Sequence, residues 1–260
     1  MLIPIEQLLL LCVGFFIIAT LYSSVGFGGG SSYLALLTLF LTSFFAIRSI
    51  ALVCNLVVVS GSTYLYFKNG HAKFKDFLPF VLTSIPLAYI GAAFRLKESG
   101  FFIILGCSLI LSALFLAIQT FELNKTKKEV HDYPNYMSYL LGAGIGFLSG
   151  LVGIGGGIFL APILNHLRWK KAIKIAALAS FFILVNSISG LLGLITSNAL
   201  SLPLKETICL VIAVLLGGQL GIRISLKKFS ANGIKRVTAL LVFVVGVRVL
   251  LVNGLSLFSS

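Results

Sequence analysis

Long apolar stretches alternate with short polar connections along the whole chain. Seven stretches contain no Asp, Glu, Lys or Arg, and an eighth is interrupted only by Arg248. The stretches are residues 7–47, 49–67, 77–94, 99–121, 133–167, 175–204, 207–222 and 237–260. A membrane-spanning helix needs roughly 20 apolar residues. Because 7–47 and 133–167 are long enough for two helices each, the pattern predicts ten hydrophobic segments, five in each half.

The two longest stretches allow two arrangements. Each could make two complete crossings or one re-entrant hairpin, and the sequence leaves both open. The chain has no basic residue ahead of its first apolar run, and that run exceeds the usual length of a signal peptide. We therefore expect the first segment to be retained as a helix.

Composition supports a membrane location. The chain is 58% hydrophobic and 10% charged, whereas soluble domains carry about 25% charged residues. The predicted fold class is therefore an all-α polytopic membrane protein, since helices satisfy their own backbone groups in lipid. The four cysteines lie in apolar segments without a C-x-x-C pair. We predict no disulfide, no metal site and no cofactor.

Basic residues concentrate in alternate connections between segments. Fifteen of them lie in one set: Lys68, Lys73, Lys75, Lys125, Lys127, Lys128, Arg168, Lys170, Lys171, Lys174, Arg223, Lys227, Lys228, Lys235 and Arg236. The other set holds four: Arg48, Arg95, Lys97 and Lys205. Cytoplasmic connections carry the Lys/Arg excess. This distribution predicts both termini outside the plasma membrane, whether or not the long stretches are hairpins. It also accounts for the net charge of +13 without a nucleic-acid partner.

The two halves of the chain are similar in sequence. Residues 25–30 (Val-Gly-Phe-Gly-Gly-Gly) match residues 152–157 (Val-Gly-Ile-Gly-Gly-Gly) with an offset of 127, and Ile90-Gly91 matches Leu220-Gly221 with an offset of 130. We predict a first repeat at 1–124, a cytoplasmic linker at 125–136 and a second repeat at 137–260. Five segments per half would make the repeats inverted, which is typical of secondary transporters. The expected partners are the lipid bilayer and a small anionic substrate, whereas the oligomeric state stays open.

The glycine motifs are the main candidates for a binding site. Consecutive glycines are poor helix formers, and a chain leaves the helix in lipid only where its backbone lines a cavity or is buried in protein. Each motif is therefore predicted to be a turn before a helix whose N-terminal N–H groups attract anions. The candidate substrate-binding residues of the motifs are Gly28, Gly29, Gly30, Ser31, Ser32, Gly155, Gly156 and Gly157. The alternative is that the glycines only permit close helix packing.

Other polar residues in the apolar segments extend this list. Asn55 and Ser180 fall at similar places in the third segment of each half, and Asn186 follows. Arg248 is a charge within an apolar segment, where substrate contact and snorkelling towards the interface are equally good interpretations. The segment interiors contain no Asp or Glu, which disfavours a cation pump. An enzyme would need an acid, base and nucleophile set that the segments do not supply. An anion channel and a non-transporting partner subunit remain as alternatives.

The paired Gly-x-Gly-Gly-Gly motifs, each followed by an apolar run and a polar third segment, resemble the TauE/SafE family of sulfite and organosulfonate transporters. The resemblance covers nearly the whole chain and carries the motif role to Gly26, Gly28–Gly30, Gly153 and Gly155–Gly157. Pro162 follows the second motif, where the family often has proline, but the first copy has none. The resemblance implies transport of a sulfur-containing anion such as sulfite, sulfoacetate or another organosulfonate by alternating access.

Overall fold

The computed structural model describes residues 4–25, 28–41, 43–94, 96–122, 131, 133–225 and 231–254. Most of the predicted linker 125–136 and both chain ends lie outside the described residues. The helices are α1 (Ile5–Val25), α2 (Gly30–Leu37), α3 (Phe44–Lys68), α4 (Phe74–Ala93), α5 (Glu98–Glu122), α6 (Asn135–Val152), α7 (Gly157–His166), α8 (Ala172–Thr196), α9 (Leu204–Ser225) and α10 (Ala231–Val249), with a π-helical turn at Leu250–Gly254. The predicted all-α class is confirmed, and no strand occurs in these ranges.

Six helices are long and apolar enough to cross a membrane: α1, α3, α4, α5, α8 and α9. Large apolar side chains on their outward faces are exposed, among them Leu9, Leu82 and Leu216. Such broad apolar surfaces are unfavourable in water but suited to lipid. The chain is therefore a multi-pass membrane protein.

Both long stretches fold as helical hairpins around their glycine motifs. In the first, Phe15 of α1 stacks on Tyr33 of α2 with ring centroids 4.6 Å apart, and the two helices run antiparallel. In the second, the Tyr133 hydroxyl donates to the Leu167 carbonyl at 2.9 Å, so the chain enters and leaves at the same end. With 8 and 10 residues, α2 and α7 are about 12 and 15 Å long, too short to cross a hydrocarbon core of about 30 Å.

Helices from the two halves pack against each other throughout the molecule. The main pairs are α4 with α6, α1 with α9, α5 with α10, α4 with α8, and α3 with α8. Glycines make the first two pairs close. A Cβ on Gly150 would touch the Ala88 carbonyl, and a Cβ on Gly221 would touch the Thr20 carbonyl. Small residues allow such approach in membrane helices. This pairing places α3 and α8 side by side between the two hairpins.

Candidate functional site

The described part of each glycine motif leads directly into a short helix, whereas Gly26, predicted as part of the first motif, lies outside the described residues. Gly29 and Gly156 are the N-caps of α2 and α7, with φ of 90° and 82°. These left-handed conformations favour glycine. No side chain caps either helix start, so the first N–H groups lack the usual capping acceptor. The prediction that the motifs are turns before helix N-termini is confirmed.

The two turns meet at the midpoints of α3 and α8, around Asn55. The Asn55 side chain is fully buried, and its Nδ2 donates to the Ile154 carbonyl oxygen at 3.0 Å. A Cβ on Gly30 would lie 2.5 Å from that same oxygen, and a Cβ on Gly155 would lie 3.1 Å from Asn55 Nδ2. The glycines are therefore required for the two turns to approach each other and this amide.

Several buried polar atoms around the turns have no hydrogen-bond partner. These atoms are Asn55 Oδ1, Ser187 Oγ, Ser149 Oγ, Ser31 Oγ and the Tyr33 hydroxyl, and both amide atoms of Asn186, next to Ser187 on α8, are also unpartnered. A Cβ on Gly155 would lie 3.4 Å from Ser187 Oγ, and a Cβ on Gly156 would lie 3.3 Å from Ser149 Cβ. Buried polar groups are nearly always hydrogen-bonded. Unpartnered atoms clustered at two turns are typical of a place where a polar ligand or water binds.

The structure brings most of the predicted site residues together. The residues of both turns and Asn55 are in one cluster, with Asn186 buried beside Ser187 on α8. Ser31 and Ser32 begin α2, and Ser32 Oγ lies 2.7 Å from the Tyr22 hydroxyl. Ser180 is buried on α8 but is not among the nearest neighbours of any glycine in the turns. Arg248 is exposed in the last turn of α10, apart from this cluster.

The neighbours of the glycines correct the predicted pairing of Asn55 with Ser180. Gly28 faces Asn55, Val59 and Ile183, whereas Gly155 faces Ile183, Ser187 and Asn55. Ile183 therefore takes the place at the second turn that Asn55 takes at the first, and Ser187 corresponds to Val59. The prediction was one helical turn out because the offset between the halves drifts from 126 to 130 residues. Sequence reasoning also missed Ser187, which the period of α8 places one turn beyond Ile183.

Arg48 is the second residue that sequence reasoning missed. It was predicted in an outer connection, which is wrong, because α3 begins at Phe44 and contains it. Its side chain is 1% exposed, and Nη2 donates to the carbonyl oxygens of Ala92 at 3.1 Å and Gly150 at 2.9 Å. The available signal was Ser43, whose side chain accepts from Ala46 N as the N-cap, since serine favours that position.

A cavity of about 440 Å³ lies at the end of the molecule that carries Lys68 and His71. It is lined by Ser23, Ser62, Leu65, Tyr66, Lys68, Asn69, His71, Ile173 and Ile222. The hydroxyls of Ser23 and Ser62 are buried without a partner. Ser62 lies two helical turns, about 10 Å, from Asn55 along one face of α3. The cavity therefore extends from the basic end towards the glycine turns.

A multi-pass bundle in which two interrupted helical hairpins meet around unpartnered polar groups is the architecture of a membrane transport protein. The chain belongs to the TauE/SafE family, since the family described as "Sulfite exporter TauE/SafE" matches residues 10–249. As a member of this family it is a membrane transporter and not an enzyme.

Curated relatives similar to this chain over most of their length are described as probable membrane transporter proteins. A probable membrane transporter protein of Sinorhizobium fredii is 33% identical over 242 residues, which cover 92% of this chain and 97% of the relative. One from Methanocaldococcus jannaschii is 29% identical over 268 residues, covering 94% and 95%. One from Bacillus subtilis is 25% identical over 256 residues, covering 88% and 92%. No solved structure matches the chain.

Proposed function

We propose that this protein is a secondary transporter of a small sulfur-containing anion, such as sulfite, sulfoacetate or another organosulfonate. The anion binds where the two glycine turns meet and is carried by alternating access between two inverted repeats. The observation that carries the proposal is the convergence of two uncapped helix N-termini on Asn55.

The electrostatics of the turns favour a monoanion. A helix N-terminus carries about half a positive charge, so two supply roughly one unit. A sulfonate has three oxygens that accept several hydrogen bonds at once. The free N–H groups at the starts of α2 and α7 are complemented by the buried side chains of Ser31, Asn55, Asn186 and Ser187. The family description, which names sulfite, supports the same substrate class.

The inverted repeats are supported by the way the helices pair. If the repeats are related by a two-fold axis, each helix of the first half corresponds to the helix five places later. The α4–α6 pair then corresponds to α9–α1, and the α5–α7 pair corresponds to α10–α2. All four pairs occur. The neighbours of Gly28 and Gly155 exchange in the same way, through Asn55 and Ile183. A two-fold relation of this kind, with binding at the repeat interface, is the basis of alternating access in many secondary transporters.

The proposed orientation places the basic connections in the cytoplasm and both termini outside the plasma membrane. Single cysteines at Asn124 and Ser260, introduced after removal of the four native cysteines, test it with a membrane-impermeant thiol reagent on intact cells. We expect labelling at Ser260 and protection at Asn124. Labelling at Asn124 with protection at Ser260 contradicts the orientation without touching the substrate proposal.

Uptake into proteoliposomes containing the purified protein tests the transport proposal. We expect saturable sulfite or sulfonate uptake that accelerates when the same anion is loaded on the opposite side. A matched carboxylate and a neutral sulfonamide serve as competitors, and the neutral compound should not compete. Linear, non-saturating flux without counterflow would instead identify an anion channel. Absence of both flux and ligand-induced thermal stabilisation would favour a partner subunit.

A further inference from the structure

Arg48 carries a buried positive charge that no described carboxylate neutralises. Its guanidinium is 1% exposed, and the acceptors of its hydrogen bonds are two main-chain carbonyl oxygens. Its Nε is buried without a partner. Arg48 lies near the start of α3, a helix long and apolar enough to cross a membrane, and a lone charge within such a helix is costly and functional by default. The guanidinium fork is also the side chain best suited to bind an oxyanion through two parallel hydrogen bonds.

Two helix ends hold this charge in place. Ala92 lies in the last turn of α4 and Gly150 in the last turn of α6. A helix C-terminus carries about half a negative charge, so the two ends together balance one guanidinium. Such a balance depends on both helix ends staying at Arg48. If α4 and α6 moved away, the guanidinium would need another negative partner.

Arg48, Asn55 and Ser62 lie on one face of α3, each two helical turns from the next. Asn55 is at the glycine turns, and Ser62 lines the cavity at the basic end. Arg48 is therefore on the opposite side of the turns from the cavity, about 10 Å beyond Asn55. One face of α3 thus runs from the closed end, which we define by Arg48, past the glycine turns to the open end, which we define by the cavity.

The two residues that accept hydrogen bonds from Arg48 have sequence counterparts at the end of the molecule where the cavity lies. An offset of 127 relates Gly150 to Ser23, and an offset of 130 relates Ala92 to Ile222. Ser23 and Ile222 both line the cavity. At one end, therefore, the residues at these two positions, Ala92 and Gly150, both accept hydrogen bonds from Arg48. At the other end, their counterparts line an open cavity. Lys174 is the counterpart of Arg48 in sequence. Within the described part of the chain, its side chain donates no hydrogen bond to the carbonyl oxygen of Ser23 or of Ile222.

We propose that Arg48 is an anion-binding residue at the end of the path opposite the basic connections, and that the C-terminal ends of α4 and α6 occupy the place of the anion in this structure. This inference rests on the proposed transport function. When the ends of α4 and α6 move away from Arg48 together, an oxyanion from that side replaces the two carbonyl oxygens at the guanidinium. Binding and opening are then linked, because the hydrogen bonds of the Arg48 guanidinium, which also lies 5.9 Å from the centre of the Phe101 ring, go either to the helix ends or to the anion.

The test compares Arg48→Gln and Arg48→Lys with Arg223→Gln, which removes an exposed arginine of α9. Uptake is measured in vesicles of both orientations. For the anion supplied from the side opposite the basic connections, we expect Arg48→Gln to raise KM by about 10- to 100-fold, the loss expected for a charge-assisted hydrogen bond. Arg48→Lys should show a smaller rise, and Arg223→Gln none.

A single cysteine at Leu52, one helical turn from Arg48 and fully buried, reports whether the contact between Arg48 and the ends of α4 and α6 keeps this end closed. An impermeant thiol reagent applied from the Arg48 side should label it at least about tenfold faster in Arg48→Gln, since the two helix ends lose their common partner. Arg48→Lys, which keeps the charge, covers the case in which Arg48→Gln fails to fold.

The outcomes separate this inference from the transport proposal. Wild-type uptake with unchanged KM and unchanged labelling in both Arg48 variants would overturn the role of Arg48 and leave the transport proposal standing. Equal KM changes for anion supplied from the two sides would also overturn it, since that result would mean that Arg48 only stabilises the packing of α3 against α4 and α6. Wild-type protein that neither binds nor moves any anion would overturn both.

Discussion

The two glycine turns have closely similar backbones but different surroundings. Gly29 and Gly156 adopt nearly the same left-handed conformation, and each is followed by a short uncapped helix. The first turn continues into Ser31 and Ser32, whereas the second continues into Ile158 and Phe159. Asn55 of α3 and Ile183 of α8 both lie against both turns, so an amide on one helix corresponds to an aliphatic side chain on the other.

This difference separates what the two halves share from what they do not. Both turns offer main-chain N–H groups, which attract any small anion. Hydroxyls that belong to the helix following the turn occur only at the first turn, whereas the polar side chains beside the second turn, Ser149, Ser187 and Asn55, come from other helices. We therefore expect the start of α2 to contribute hydrogen bonds to the substrate that the start of α7 cannot. The predictions below test that asymmetry.

The largest effect is expected from Gly30→Ala, compared with Gly157→Ala. A Cβ on Gly30 would lie 2.5 Å from the Ile154 carbonyl oxygen and would overlap the Asn55 amide. A Cβ on Gly157 would meet the side chain of Ile183, whereas the nearest main-chain atom, the Ala179 carbonyl oxygen, would be 3.4 Å away. Gly30→Ala should abolish anion uptake in proteoliposomes, and Gly157→Ala should retain a measurable part of it. The overpacking cost is about 1–3 kcal/mol.

Thermal melting shows whether each glycine variant is folded. A folded Gly30→Ala protein without uptake supports a role of the first turn in binding. Wild-type uptake by that protein would mean that the glycine serves packing alone. Equal losses in the two variants would remove the asymmetry between the turns.

Much of the fold could be predicted from the sequence because the bilayer imposes simple rules. Charge-free stretches gave the helical segments, and glycines in the middle of such stretches gave the turns. Whether a stretch crosses twice or forms a hairpin could not be predicted, since the same apolar residues suit both. The answer depends on packing of α2 and α7 against α3 and α8, and periodicity within one segment carries no information about it.

The site was harder to predict than the fold. Arg48 looked like a connection residue because it matches Lys174, which begins the corresponding segment after a basic loop. Its burial depends on the ends of two distant helices, α4 and α6. Asn55 was a predicted candidate and lies at the turns, whereas Ser180, predicted at a similar place, is not among the nearest neighbours of the turn glycines because the offset between the halves drifts by several residues. A drift of three or four residues moves a side chain one full turn along a helix.

A smaller effect is expected from Asn55→Leu. The substitution leaves the Ile154 carbonyl oxygen without its donor, which costs about 1–3 kcal/mol of stability, and removes an amide from the site. Anion affinity in a thermal-shift titration should fall by about tenfold, equivalent to 1.4 kcal/mol. Asn165→Leu is the matched control, because that amide bonds within α7 to the Ala161 carbonyl oxygen.

Exchanging Asn55 and Ile183 sharpens this comparison. In the double variant Asn55→Ile/Ile183→Asn the amide comes from α8 instead of α3 and still lies between the turns, since both residues are near neighbours of Gly28 and Gly155. Binding should recover part of what Asn55→Leu loses. If Asn165→Leu weakens binding as much as Asn55→Leu does, the amide of Asn55 has no special place at the turns.

The smallest effect is expected from single serines at the start of α2. Ser31 Oγ is buried without a partner, whereas Ser32 Oγ lies 2.7 Å from the Tyr22 hydroxyl. Ser31→Ala removes no internal hydrogen bond, so stability should be unchanged or slightly higher, while anion affinity falls about threefold to tenfold, as for one neutral hydrogen bond of about 1 kcal/mol. Ser32→Ala should instead lower stability by about 1 kcal/mol, because the Tyr22 hydroxyl loses this contact, with less change in affinity. Melting temperature and thermal-shift titration on the same samples separate the two effects. The reverse assignment, with Ser32→Ala weakening binding and Ser31→Ala weakening the fold, would mean that the substrate approaches the first turn from the α1 side.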